Sequence, residues 1–232
     1  MRSETSLMDH SLIWHKVCRS ELSYYCIGSM KTKRLTSQAI KNIYGGISMK
    51  ATEILMAEHE VIQRVIGSLE AAAIMLENGQ YVRPGFFTDA ADFIKGFADG
   101  CHHVKEEQVL FRTMEQYGVP GQGGPVGVML FEHEQGRQFT RGIRAAAQKL
   151  AAGDVSAREA VVQNTRGYTA LLRQHILKEN NVLFPMADQV IPVSEHDRVF
   201  ESFEHIEHEE TGEGVHEKYL ALAEALEKEA RG

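Results

Sequence analysis

The sequence is short of cysteine, proline and tryptophan, and it contains no long apolar run. Its three cysteines, Cys18, Cys26 and Cys101, are an odd and scattered set among 232 residues. They make neither a disulfide framework nor a CxxC metal site, so a reducing cytoplasm is the expected setting. No stretch approaches the roughly 18 consecutive apolar residues of a membrane span. The first residues lack the charged, apolar and cleavage-site order of a secretion signal, and none is expected. Basic clusters are missing too: 25 Lys and Arg stand against 32 Asp and Glu, a net charge of -7. A nucleic-acid surface needs positive patches to neutralise phosphates, so neither nucleic acid nor membrane is an expected partner. Alternating β-branched runs are scarce, which argues against a sheet.

What is present is a globular composition, 43% hydrophobic and 25% charged, long enough for one domain with a full core. Residues 1–48 have mixed polarity, no sustained period and the single Trp, and are expected to form a loosely structured N-terminal extension. From Met49 the segment "MKATEILMAEHEVIQRVIGSLEAAAIML" takes up a clear helical period. Four long helical patterns follow, near 50–77, 86–117, 125–152 and from Asp154 or Ser156 to about 190. "ENGQ", Gly118 and Gly153 end the first three, Asp154 or Ser156 caps the fourth, and Pro185 kinks or ends it. "DRVFESFEHIEHEE" and "VHEKYLALAEALEKEA" predict a C-terminal helical extension over 191–232, packed on the body. The expected fold is therefore all-α, an antiparallel four-helix bundle over 49–190.

Eleven histidines are a mild excess, and their placement carries the argument. Successive helical residues turn by about 100°, so positions three, four and seven apart share a face. In "HHVKEEQVLF" (102–111), His103 and Glu107 share the face of Phe93, Leu110, Phe111 and Met114. The same projection turns His102 and Glu106 toward solvent and sets Cys101 off the inward face. In "HILKENNVLF" (175–184), His175 and Glu179 lie with Tyr168, Leu172 and Leu183, and Asn180 lies off that centre. His59 falls in the apolar arc of the first helix and His133 in that of the third. Glu58 and Glu132 stand nearer the edges of those arcs.

Burying imidazoles and carboxylates among Leu and Phe is costly unless something offsets their desolvation. Two carboxylates in one core repel or take up a proton. A lone inward histidine is ordinarily a hydrogen-bonded core residue, and a lone HxxxE pair an exposed helix support. Neither accounts for four helices each placing a histidine inward with two matched HxxxE pairs. A pair of metal ions does. Four imidazoles and two carboxylates suit iron or manganese, while zinc or copper accepts the same ligand types.

The ordered segments "AEHEVI", "HHVKEEQVLF", "GVMLFEHEQGR" and "HILKENNVLFP" resemble the hemerythrin-like (HHE cation-binding) family over about residues 50–190. The resemblance implies an antiparallel four-helix bundle holding two non-haem irons joined by an oxo or hydroxo group. Matched motif to motif, it implies His59, His103, Glu107, His133, His175 and Glu179 as metal ligands. Two positions depart from the family pattern. Arg137 stands where oxygen-carrying members have a second histidine on the third helix, and Asn180 where some members have a carboxylate. Glu207, on the face of Phe200 and Phe203, is a further candidate carboxylate, whereas His205, His208 and His216 read as surface groups.

The expected function is that of a cytoplasmic di-iron protein binding or reacting with dioxygen, peroxide or a similar small ligand. The alternative is a non-catalytic iron- or oxygen-sensing module, or an iron store.

Overall fold

The computed structural model describes residues 50–212 and 214–231; the extension expected over 1–48 lies outside them. Every regular element among the described residues is helical. The first rod is α1 (Ala51–Glu77), whose buried Leu55, Ile62, Ile66, Leu69 and Ala73 recur every three or four residues. The Glu53 carboxylate starts it by accepting the Lys50 backbone N–H at 3.1 Å.

The second rod is continuous but irregular. It opens as α2 (Pro84–Phe93), widens into π-helical turns over Ile94–His102 and Lys105–Leu110, and closes as α3 (Phe111–Gln116). In the widened turns an N–H reaches five residues back: His103 N–H to the Ala98 carbonyl, Phe111 N–H to the Glu106 carbonyl. Such turns are rare and concentrate at functional sites.

The third rod is α4 (Pro125–Ala151). It ends at Gly153, whose φ of 94° is a conformation that side chains with a Cβ resist. Asp154 then caps the turn, its carboxylate accepting the Ser156 backbone N–H at 3.1 Å. The fourth rod runs as α5 (Ala157–Lys178), a π stretch Glu179–Leu183, and α6 (Phe184–Val190). Pro185, which has no N–H to donate, follows directly on the widened turn, and the rod continues past it.

The rods pack side by side: α1 against α5, α5 against α4, and α4 against α2. Leu55, Leu110, Phe111, Met114, Met129, Leu183 and Phe184 form one buried apolar cluster at the end where the π turns lie.

Beyond Val190 the chain forms α7 (His196–His205), a π stretch Ile206–Thr211, and α8 (Val215–Arg231). α8 lies along α1 and α2, burying Ala223 and Leu226 and pairing Arg64 with Glu227 at 2.7 Å. Its Tyr219 ring occupies the space a Cβ would need at Gly96, 1.9 Å away, so only glycine allows this approach. Among the described residues no helix is long and apolar enough to cross a membrane.

Candidate metal centre

Five histidines, one each from the first, third and fourth rods and two from the second, reach one buried point. His59, His102, His103, His133 and His175 are all at most 3% exposed, and Glu106 and Glu179 are fully buried among them. The ring nitrogens divide by direction. Each Nδ1 turns outward to a support: His102 to Glu58 (2.8 Å), His103 to Asp99 (2.9 Å), His133 to Glu107 (2.8 Å), His175 to Glu132 (3.0 Å) and His59 to Asn180 (2.8 Å). An Nδ1–H donated to these oxygens leaves a lone pair on Nε2, which fixes the tautomer a metal requires.

The Nε2 atoms meet inside. His59 and His102 approach to 3.0 Å, and His133 and His175 to 3.1 Å. With the protons on Nδ1, the His59–His102 contact is lone pair against lone pair, an arrangement that calls for a cation between them. Glu179 spans both pairs, one oxygen 3.2 Å from His59 Nε2 and the other 3.1 Å from His175 Nε2. Glu106 does the same, 3.5 Å from His102 Nε2 and 3.4 Å from His133 Nε2. The donors fall into two groups, His103/Glu106/His133/His175 and His59/His102/Glu106/Glu179, each with ligand atoms within 4.8 Å of one another.

All four oxygens of Glu106 and Glu179 are buried without a hydrogen-bond partner. An uncompensated carboxylate in such a place costs on the order of several kcal/mol. Burial and the neighbouring Glu179 charge push Glu106 well above the usual carboxylate range, so it holds a proton. Glu179 goes the other way: burial opposes its ionisation, but His175, His133 and His59 hold it well below that range. Burial likewise drives His102 down to about 4. His175 is raised to about 9, because Glu179 and Glu132 outweigh the effect of burial. Divalent ions would replace this proton sharing with direct countercharge, so the residues fit metal.

The facing predicted for the second rod is corrected here. His103 is inward, but so are His102 and Glu106, while Glu107 stands half-buried on the outer side against His133 Nδ1 and Arg137. A projection at 100° per residue assumes an unbroken α-helix. The π turns on both sides of Val104 rotate less per residue, which brings the consecutive His102 and His103 to one interior and retards Glu106 into it. On the fourth rod Glu179 is inward as expected, and Asn180 lies off that centre, half-buried, where it supports His59 Nδ1.

The sequence pattern sets Glu58 and Glu132 at the arc edges, Asn180 off the centre and Glu107 inward as a ligand, and marks none of them as a support. Their signal is adjacency: Glu58 precedes His59, Glu107 follows Glu106, Glu132 precedes His133 and Asn180 follows Glu179. Each reaches the histidine of the next rod, so the supports run from the first rod to the second, third and fourth and back to the first. Cations hold them from outside: Lys105 on Glu58 at 2.5 Å, Arg137 on Glu107 at 2.5 Å, and Lys178 on Glu132. Arg137 also approaches Asp99 at 3.7 Å, so in place of a histidine it braces the supports of His133 and His103. Glu207 is outside both donor groups. His205 and His208 are exposed, whereas His216 is partly buried against Phe97, with ring centroids 5.2 Å apart. Burial pushes the Cys101 thiol up to about 11, leaving it protonated.

The family model of the hemerythrin HHE cation binding domain matches residues 50–187. The chain belongs to this family. Among curated relatives, "Uncharacterized protein Rv1995" of Mycobacterium tuberculosis and "Uncharacterized protein Mb2018" of Mycobacterium bovis are each 28% identical over 182 residues. The alignment covers 78% of this chain and 71% of either relative. No solved structure matches. The matched HHE segment contains every histidine and carboxylate of the two donor groups described above and stops short of α7 and α8.

Proposed function

We propose that this HHE domain holds two metal ions, iron foremost, and binds or reacts with dioxygen, peroxide or a related small ligand. The observation that carries the reading is the convergence of five imidazole Nε2 atoms on two carboxylates whose four oxygens have no other partner. One ion would be held by His103, His133 and His175, the other by His59 and His102, with Glu106 and Glu179 in reach of both groups. The His59–His102 group thus offers one imidazole fewer, and an ion there would have room for a small ligand. Mixed nitrogen and oxygen donors accommodate iron or manganese, and zinc as a redox-inert substitute. A redox-active pair supplies the electron changes that reduction of dioxygen or disproportionation of peroxide needs.

The protein's own part is to hold geometry and exclude water. Phe184 stacks on His59 at 5.5 Å and Phe111 on His133 at 6.0 Å, and Leu110 and Leu183 close the same end. The antiparallel bundle is supported by the pairing of α4 with α5, where Gly142 lies by Asn164, Gly136 by Leu172, and Glu132 by His175. One index rises as the other falls.

The test is metal analysis and absorption spectroscopy of natively isolated protein. About two irons per chain, from the two donor groups, with near-ultraviolet bands support the reading; fewer than two ions of any kind defeats it. Rapid oxygen evolution from peroxide by the loaded protein marks an enzyme, and its absence marks a sensing or storage module.

A further inference from the structure

Next to the donor groups lies a second cluster that no ligand role explains. Glu58, Cys101, Glu207 and His216 bring one donor atom each within 4.8 Å of one another. The cation among them is already supplied by the protein. The Lys105 ammonium, on a side chain with no exposure, donates to Glu58 at 2.5 Å and to Glu207 at 2.8 Å. Glu58 accepts from His102 Nδ1 with its other oxygen, at 2.8 Å. Glu207 lies 3.4 Å from His216 with its other oxygen. The result is one unbroken chain of contacts, His216–Glu207–Lys105–Glu58–His102, from the C-terminal extension to a candidate ligand.

We propose that Glu207 is a positioning residue for the His59–His102 metal, acting through Lys105 and Glu58, so that the C-terminal extension is part of the metal centre. The inference rests on the two-metal reading above. Its physics is charge sharing. Lys105 is a single charge divided between two carboxylates. While Glu207 takes part of it, Glu58 keeps enough negative charge to polarise the His102 N–H and strengthen Nε2 as a donor. Without Glu207 the ammonium falls wholly to Glu58, and His102 becomes the weaker donor. Glu207 lies outside the segment matched to the family, so the domain acquires this control from its extension.

The test is an anaerobic ferrous-iron titration of the full metal-free chain against a chromophoric chelator, resolving the tighter and weaker ions. Glu207→Gln weakens the second ion by roughly three- to tenfold, a step below the effect of direct outer supports, and leaves the first unchanged. Glu207→Asp, which keeps the charge, lies closer to wild type. Glu227→Gln removes the Arg64 ion pair of the same extension without touching Lys105, and it alters neither ion. Wild-type titration of Glu207→Gln overturns the proposal. So do equal losses in Glu207→Gln and Glu227→Gln that follow a lowered melting temperature. A wild-type chain that takes up no second ion overturns the two-metal reading, and this inference with it.

Discussion

Asn180 Oδ1 accepts a hydrogen bond from His59 Nδ1 at 2.8 Å, and it is the only amide among five supports otherwise made of carboxylates. An amide polarises an imidazole less than a carboxylate does, so His59 is the poorest donor of the five. Asn180→Asp is expected to tighten the weaker metal by up to roughly tenfold, read from the second phase of a metal titration. A weaker second phase would remove His59 from the donor set.

Glu106 and Glu107 are neighbours with opposite surroundings. Glu106→Gln is expected to strip most iron from both positions, because its oxygens face both donor groups. Glu107→Gln loses only a support of His133 and lowers affinity by about tenfold. Iron content per chain distinguishes them, and the reverse order would restore the facing predicted by simple helical projection.

His102 and His103 separate the two ions. His102→Ala is expected to leave one tightly held ion and abolish the other, and His103→Ala to spare the His59–His102 position and weaken its neighbour. Cobalt-loaded protein, whose visible bands report coordination, would show two different residual spectra. Identical spectra would mean the two histidines serve one ion.

Metal binding should release protons. In the metal-free protein Glu106 is protonated through burial and the Glu179 charge. His175 is cationic up to about 9, because Glu179 and Glu132 outweigh burial. Both ligate only after losing a proton, so at neutral pH each ion pair bound expels protons, and apparent affinity rises with pH until His175 titrates near 9. Glu179 is already ionised and adds nothing. A pH indicator in weakly buffered solution measures the release, and its absence would exclude these two residues as ligands.

Gly96→Ala places a methyl group inside the Tyr219 ring. The expected cost is about 1–3 kcal/mol of overpacking, taken by undocking of α8 and visible as faster proteolysis within 215–231. Unchanged proteolysis would show that the ring moves aside freely.

The sequence discloses those parts of the centre that sit on regular helix. His59 and His133 lie well inside the unbroken helices α1 and α4, where the 3.6-residue period holds, and both are found inside where the pattern places them. His175 and Glu179 fall at or before the first widened turn of the fourth rod and are also inside. Glu106 and Glu107 exchange places because π turns on either side of Val104 change the phase, and no composition or period in "HHVKEEQVLF" announces them. The outer supports escape for another reason. Glu58, Glu107 and Glu132 serve histidines on neighbouring rods, a relation that exists only after packing. Lys105 is the extreme case: it stands inside a charged run, yet it is fully buried between two carboxylates from distant parts of the chain.

The supports that pass once around the four rods and return to their start leave no peripheral member. A rod that turns slightly on its axis disturbs both the histidine it carries and the one it steadies next door. Such a ring behaves like the leaves of an iris: slack introduced anywhere is shared by all four. Loosening therefore comes as a collective event, and the aperture at the centre is set by the whole circle at once.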